Sequence, residues 1–157
     1  MACRPRFDTA TDAQYLAVDW SPTGEFIAAG STEGLQIFNL HLDQIYQTED
    51  TWVADVAWHP EKPMLVIVTD NRSLTFIRAD NDSFVQAQTI SIPGLEFIAW
   101  NTDGTKLGVS IMLFLGHYSL RIYEVGIDNS NQQISLVEIQ SIDAFRNENK
   151  IRSAFEG

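Results

Sequence analysis

The sequence has little cysteine, little basic charge and no long apolar run, and each shortage excludes a class of protein. Its single cysteine, Cys3, cannot form an internal disulfide, which indicates a reducing compartment. No apolar run approaches the roughly 20 residues that a membrane-spanning helix requires. Residues 1–8 have no apolar core, so they do not resemble a secretory signal. Together these features predict an intracellular protein without a transmembrane segment.

Basic residues are outnumbered: 10 Lys and Arg stand against 21 Asp and Glu, for a net charge of −11. No Lys or Arg lies between Arg6 and Lys62, a stretch that holds ten acidic residues. Such a negative field repels phosphate backbones and anionic lipid surfaces, so we expect no nucleic-acid partner and no membrane partner. The stretch is either a docking face for a protein with a basic surface or an ordinary solvated surface.

Motifs that carry enzymatic chemistry are also missing. The sequence has no G-x-S-x-G nucleophile elbow, no P-loop, no dinucleotide-binding glycine fingerprint and no H-E-x-x-H pair. Its three histidines, His41, His59 and His117, are far apart in sequence, with no cysteine or carboxylate at metal-ligand spacing. We therefore predict no catalytic residue, no metal site and no cofactor, and hence a non-enzymatic protein.

What the sequence does contain is an internal repeat. Three segments, which begin near residues 17, 55 and 97, each have a β-type run that ends in Trp, then a polar turn, then a second β-type run. The tryptophans, Trp20, Trp58 and Trp100, recur 38 and 42 positions apart. A period of about 40 to 45 residues with four strand-like runs per unit is typical of propeller blades.

Alternating apolar runs bounded by turn residues predict twelve strands, four in each unit. The predicted strands are 16–20, 26–29, 35–39, 44–47, 53–58, 64–69, 74–78, 84–90, 96–100, 106–110, 120–125 and 133–140. We therefore predict an all-β chain with three four-stranded antiparallel sheets at 14–50, 51–92 and 93–142. Residues 1–13 form an N-terminal segment, and residues 143–157 form either a C-terminal tail or the start of a fourth blade.

The turn after each tryptophan follows from its residues. Ser-Pro-Thr-Gly at 21–24 fixes one φ angle with proline and supplies a glycine that tolerates positive φ. Asn-Thr-Asp-Gly at 101–104 keeps the Asp-Gly half of this arrangement. His-Pro-Glu-Lys-Pro at 59–63 has no glycine, so we expect it to turn differently.

These motifs resemble those of the WD-repeat β-propeller family, and the Trp-Ser-Pro-Thr-Gly run of the first unit is the nearest match. The third strand of that family ends in Trp-Asp, where this chain has Phe-Asn at 38–39, Ile-Arg at 77–78 and Tyr-Glu at 123–124. The Gly-His pair that often precedes the first strand is missing from all three units. The resemblance implies blades held by apolar packing with Trp20, Trp58 and Trp100 as anchors, in a cytoplasmic or nuclear protein.

Propellers close with about four to eight blades, since closure protects the sheet edges. Three blades therefore gain further blades by self-association, dock on another protein, or are a piece of a larger propeller. A homodimer would complete a six-bladed ring.

The connection between the second and third strands of the third unit is longer and more apolar than its counterparts. It contains Ile111, Met112 and Phe114 and ends near Tyr118. An apolar tip is either covered by a partner or part of longer strands within the core. We predict that these four residues contact a partner, together with Trp52, whose alternative role is packing between blades.

The resemblance thus implies a protein–protein interaction scaffold, a subunit or adaptor of a larger complex. The alternatives are a substrate-recruiting propeller subunit of an enzyme complex, such as a ubiquitin ligase, and a fragment of a larger propeller protein.

Overall fold

The computed structural model describes residues 13–48, 52–80, 83–130 and 132–144. Within these residues, twelve strands form three four-stranded antiparallel sheets, each with its strands in sequence order. The predicted fold class is therefore confirmed. Most of the predicted N-terminal segment and residues 145–157 of the predicted tail lie outside the described residues.

We call the three sheets blades 1, 2 and 3. Blade 1 contains β1 (Tyr15–Trp20), β2 (Phe26–Ser31), β3 (Gly34–Asn39) and β4 (Gln44–Gln47). Blade 2 contains β5 (Val53–Trp58), β6 (Met64–Thr69), β7 (Ser73–Asp80) and β8 (Ser83–Ser91). Blade 3 contains β9 (Leu95–Trp100), β10 (Lys106–Met112), β11 (Tyr118–Ile127) and β12 (Ile134–Ala144).

The first strand of each blade is its inner strand, because β5 contacts β1 on one side and β9 on the other. Blade 2 is thus sandwiched between its neighbours, and every residue of β6 is buried. In blade 3, by contrast, β10 alternates between buried and half-buried residues. A strand covered on both faces is apolar at nearly every position, as β6 is before Thr69, whereas a strand covered on one face alternates.

Two apolar cores lie between the blades. The core between blades 1 and 2 includes Leu35 and Ile37 from β3 packed against Val53 and Leu65. The core between blades 2 and 3 includes Phe76 from β7, which is fully buried, and buried residues of β9 and β10. The expected apolar packing between sheets is therefore present at both interfaces.

The apolar connection in blade 3 is shorter than its sequence indicates, because both flanking strands extend into it. β10 runs to Met112, β11 begins at Tyr118, and a 3-10 turn at Phe114–Gly116 joins them. Part of the connection is therefore strand, as the alternative interpretation expected, and part is a tip.

Candidate interaction surfaces

Two carboxylates tie the inner strands together. One oxygen of Asp19 accepts a hydrogen bond from the backbone N–H of Trp58 at 2.7 Å, and one oxygen of Asp55 accepts from that of Ile98 at 2.8 Å. The second oxygen of each accepts from the N–H of the next residue in its own strand, at 2.9 Å. Burial raises the pKa of Asp55, while its two backbone hydrogen bonds act in the opposite direction. These two residues of the acidic stretch therefore join blades.

This role was not among the sequence-based predictions, although the sequence contains a signal for it. Asp19 and Asp55 both interrupt apolar strand residues, in the runs Val-Asp-Trp and Ala-Asp-Val. A carboxylate within a packed strand requires hydrogen-bond donors, since an unpaired buried charge is costly. The acidic stretch is therefore partly structural, and a docking face for a basic partner can involve only its other members.

We call the turn after each inner-strand tryptophan the corner of its blade. In blade 1, Ser21 Oγ accepts a hydrogen bond from the N–H of Phe26 at 3.0 Å. In blade 3, Asn101 Oδ1 accepts one from Lys106 at 2.9 Å. Each of these corners has a glycine at positive φ, Gly24 at 72° and Gly104 at 69°.

The corner of blade 2 turns without glycine by means of His59. Its Nδ1 accepts hydrogen bonds from the backbone N–H groups of Glu61 and Lys62, at 3.1 and 3.0 Å. Its buried ring lies 4.8 Å from the ring of Trp100 and against Gly104, whose added Cβ would come within 2.1 Å of the imidazole. Burial lowers the pKa of His59, and the charge of Lys62 lowers it further, which favours the neutral ring. The glycine-free turn of blade 2 differs from the other two, as expected, and its histidine also packs in the interface between blades 2 and 3.

Each inner-strand tryptophan belongs to a row of directly paired residues across its sheet, and in blades 2 and 3 this row faces the preceding blade. In blade 2 the row is Trp58, Leu65 and Ile77, and all three are buried against blade 1. In blade 1 the row is Trp20, Ile27 and Phe38, which we call the Trp20 row. Trp58 is 6% exposed and Trp20 is 53% exposed. Trp58 and Trp100 pack between blades as anchors would, whereas Trp20 lies on an open face.

Blade 3 has an open apolar face on the other side of the molecule. Phe97, Ser110, Leu120 and Ile142 are paired across β9, β10, β11 and β12, and we call them the Phe97 row. Directly opposed residues point to the same face of a sheet. The three apolar members are all exposed. The two flanking blades thus each present exposed apolar residues on an outer face, although Ile27 and Phe38 of the Trp20 row are half-buried.

The predicted contact residues of the blade 3 connection are divided between core and surface. Ile111 is 2% exposed and belongs to the core between blades 2 and 3, because β10 extends through it. Its inclusion in a partner surface therefore requires correction. Met112 is half-buried, Tyr118 is exposed, and Phe114 is 84% exposed at the tip.

Trp52, the fifth predicted contact residue, immediately precedes β5 and is about half exposed. Its carbonyl accepts a hydrogen bond from the N–H of Asp70 at 2.9 Å. It lines a cavity of about 270 Å³ with Phe97, Arg72 and Glu96. Trp52 thus lines a pocket between blades 2 and 3, which is compatible with both of its predicted roles.

The described residues include no group of three or more His, Cys, Asp and Glu side chains that could hold a metal ion. Among the same residues, no helix is long and apolar enough to cross a membrane.

Comparison with known families identifies one match. The model described as the anaphase-promoting complex subunit 4 WD40 domain matches residues 18–103, just over half of the chain. The match begins in β1, includes all of blade 2 and ends in the corner of blade 3. No curated protein matches the chain.

Solved structures show the same fold. The β-propeller domain of Cps50 (Swd1) from Myceliophteria thermophila has a TM-score of 0.62 at 16% identity, over 83% of this chain and 43% of that one. Hsv2p from Kluyveromyces lactis has a TM-score of 0.62 at 16% identity, over 85% and 49%. A Bacteroides uniformis protein named as a candidate 6-phosphogluconolactonase has a TM-score of 0.61 at 18% identity, over 82% and 41%.

These comparisons confirm the propeller class of the fold. One of the three proteins is named as an enzyme and the other two are not. The shared fold therefore does not indicate whether a protein is an enzyme. The chain spans between 41% and 49% of the length of these structures.

Proposed function

The chain belongs to the anaphase-promoting complex subunit 4 WD40 domain family, and from this premise we propose that it is a non-enzymatic protein-interaction scaffold within a larger complex. The exposure of Trp20, whose row partners Ile27 and Phe38 are half-buried, carries the proposal. The same row is buried in blade 2, so its residues are of the kind that another sheet covers. The cytoplasm or nucleus is the location that we propose for it.

The occupant that we propose for the open faces is a second copy of the chain. A second copy offers a Phe97 row to the Trp20 row of the first, and the same pairing recurs at the other junction. Both junctions would bury apolar side chains as the two existing interfaces do. The chain spans 43% to 49% of the propellers Cps50 and Hsv2p, so two copies approach their length.

The solution mass at two protein concentrations, measured by light scattering, tests this arrangement. We expect a stable species of twice 17.7 kDa. Leu120→Asp places a charge in the Phe97 row, so we expect it to produce a monomer with an unchanged far-ultraviolet circular dichroism spectrum. Leu40→Asp, at an exposed leucine in the connection between β3 and β4, is the matched control and should remain a dimer. A monomeric wild-type chain at both concentrations would overturn closure by a second copy.

The scaffold role has its own test at the tip of blade 3. Phe114 is a large exposed aromatic residue, the type that anchors protein interfaces. We expect Phe114→Asp to remove the proteins that co-purify with the wild-type chain, as measured by quantitative mass spectrometry, and Leu40→Asp to retain them. An identical set of proteins with Phe114→Asp would exclude this tip as a contact surface. The absence of any specific partner for the wild-type chain would contradict the scaffold function itself.

A further inference from the structure

A cavity of about 440 Å³ lies between blades 1 and 2, at their corners. Phe26 and Trp58 contribute aromatic lining, and Pro22 and Pro63 contribute apolar edges. The cavity is separate from the Trp20 row, the Phe97 row, the tip of blade 3 and the pocket beside Trp52.

The cavity has a structural cause in the residue that follows each inner-strand tryptophan. In blade 2 this residue is His59, and its imidazole covers the ring of Trp100 at 4.8 Å. In blade 1 the equivalent residue is Ser21, whose side chain is too short to cover Trp58 in the same way. The interface between blades 1 and 2 therefore has a cavity beside Ser21, whereas its counterpart has an imidazole packed against Trp100.

The two tryptophans also differ in hydrogen bonding. Trp100 Nε1 donates to the carbonyl of Ala57 at 3.3 Å. In the described part of the chain, Trp58 Nε1 is buried without a hydrogen-bond partner. A buried donor without an acceptor costs roughly 1 to 3 kcal/mol, so such groups are uncommon. The two interfaces therefore differ in how the indole N–H is satisfied.

The charge of the lining selects the kind of ligand. Among the described residues, the cavity is lined by three acidic side chains and one basic side chain: Glu25, Glu61 and Asp80, and Lys62. Glu25 already accepts a hydrogen bond from Thr23 Oγ1 at 3.1 Å, but a carboxylate has further acceptor positions. A site that combines aromatic rings with an excess of carboxylates favours a cation that can also stack.

We propose that this cavity binds an arginine side chain of a protein partner. A guanidinium is planar and weakly hydrated, stacks on aromatic rings and pairs with carboxylates through two hydrogen bonds. It would lie in the cavity against Phe26 and the part of Trp58 that lines it, with Glu25 and Glu61 as its carboxylate partners. Because a guanidinium has no acceptor, the indole N–H of Trp58 would remain unpaired. The proposal rests on the scaffold function only in assigning the arginine to a protein, and it does not require a dimer.

The test is a titration of the ¹⁵N-labelled full chain with the blocked peptide acetyl-Gly-Arg-Gly-amide at low salt, followed by NMR. The indole N–H signal of Trp58, assigned by its loss in Trp58→Phe, should shift and saturate, with a Kd of about 1 mM for so small a probe. The citrulline peptide has nearly the same shape without the charge, so it should cause no saturable shift. The lysine peptide should bind at least several-fold more weakly than the arginine peptide.

Two protein variants distinguish the contribution of the carboxylates from that of the empty volume of the cavity. Glu25→Gln combined with Glu61→Gln removes both carboxylates and should weaken binding at least tenfold, whereas Glu33→Gln, at the exposed β2–β3 turn, should leave it unchanged. Ser21→His supplies the missing ring and should abolish binding while the carboxylates remain.

An absent Trp58 response to the arginine peptide, or an equal response to the citrulline peptide, would overturn the proposal. Retained affinity in the double glutamine variant would overturn it as well. None of these outcomes depends on the mass of the chain in solution or on the proteins that Phe114 recruits, so failure here is distinguishable from failure of the scaffold function.

Discussion

The two interfaces between blades have the same backbone plan and differ at the corner. Both have a carboxylate bridge from one inner strand to the next, and both have an apolar core. Between blades 2 and 3, the corner is closed by His59 over Trp100 and Gly104. Between blades 1 and 2, Ser21 leaves a cavity beside Trp58. The residue after the tryptophan thus differs between the two interfaces, and only the histidine packs its side chain into the corner.

The largest expected effect comes from Gly104→Ala, which adds a methyl group where the ring of His59 packs between the corners of blades 2 and 3. Gly104 has a φ of 69°, and an added Cβ would lie 2.1 Å from the ring of His59. That ring cannot easily move, because Nδ1 is held by two backbone N–H groups. Backbone strain and overpacking together should lower the free energy of unfolding by about 3 kcal/mol or more. Urea denaturation monitored by tryptophan fluorescence measures the change.

Gly24→Ala is the matched control, at the equivalent position in the corner of blade 1. Its φ is 72°, but no atom lies within 4 Å of the added Cβ. Only backbone strain remains, so we expect a loss of about 1 kcal/mol. Equal losses for the two glycines would show that the contact with His59 contributes nothing.

The second prediction removes the closing side chain itself. His59→Ala deletes the acceptor for the N–H groups of Glu61 and Lys62 and leaves a gap against Trp100. We expect the free energy of unfolding to fall by about 2 kcal/mol, measured by urea denaturation at pH 7.5. His41→Ala, at an exposed turn, is the control and should change it by less than about 0.5 kcal/mol. If both variants lose the same amount, His59 does not hold the corner.

The repeat and most of the strands could be predicted from the sequence, because apolar alternation and turn residues are local signals. The strand predicted at 64–69 has the bounds of β6, for example, and the strand predicted at 106–110 falls two residues short of the end of β10. That shortfall has a reason: Ile111 and Met112 continue the strand, although their apolar character also suits an exposed tip.

The roles of Asp19 and His59 depend on residues far along the chain and could not be predicted. Asp19 accepts a hydrogen bond from a residue 39 positions away, and His59 packs on Trp100, 41 positions away. Such pairs are set by the stacking of blades and not by any local pattern. The missing glycine at 59–63 did indicate an unusual turn, but it could not indicate that the ring also closes an interface.

The third prediction concerns what the two interfaces share. Asp19→Ala and Asp55→Ala each remove a carboxylate that accepts one hydrogen bond from the neighbouring inner strand. We expect each to lower the free energy of unfolding by about 1 to 2 kcal/mol, and the two losses to agree within about 0.5 kcal/mol. Asp70→Ala, in the exposed turn between β6 and β7, is the control and should be nearly neutral. If only one of the two variants lowers the free energy of unfolding, the two interfaces also differ in their inner strands and not only at their corners.

The smallest expected effect is a pH dependence of the stability that His59 contributes between blades 2 and 3. Burial lowers the pKa of His59, so between its folded and unfolded pKa values the unfolded chain binds more protons than the folded one. The stability that the neutral ring contributes is therefore complete above the unfolded value of about 6.5, and it is lost as the pH falls through the folded value.

Urea denaturation of the wild type and His59→Ala at pH 7.5, 6.5 and 5.5 measures this loss. The difference in unfolding free energy between them should shrink toward pH 5.5, with a slope of at most about 1.4 kcal/mol per pH unit for one proton. Burial raises the pKa of Asp55, which acts in the opposite direction as carboxylates titrate, so the comparison stays at pH 5.5 and above. Because the corner of blade 1 has Ser21 in place of the histidine, Ser21→Ala should remain parallel to the wild type across the range. A constant difference between the wild type and His59→Ala would mean that the imidazole accepts its proton as readily in the folded corner as in the unfolded chain.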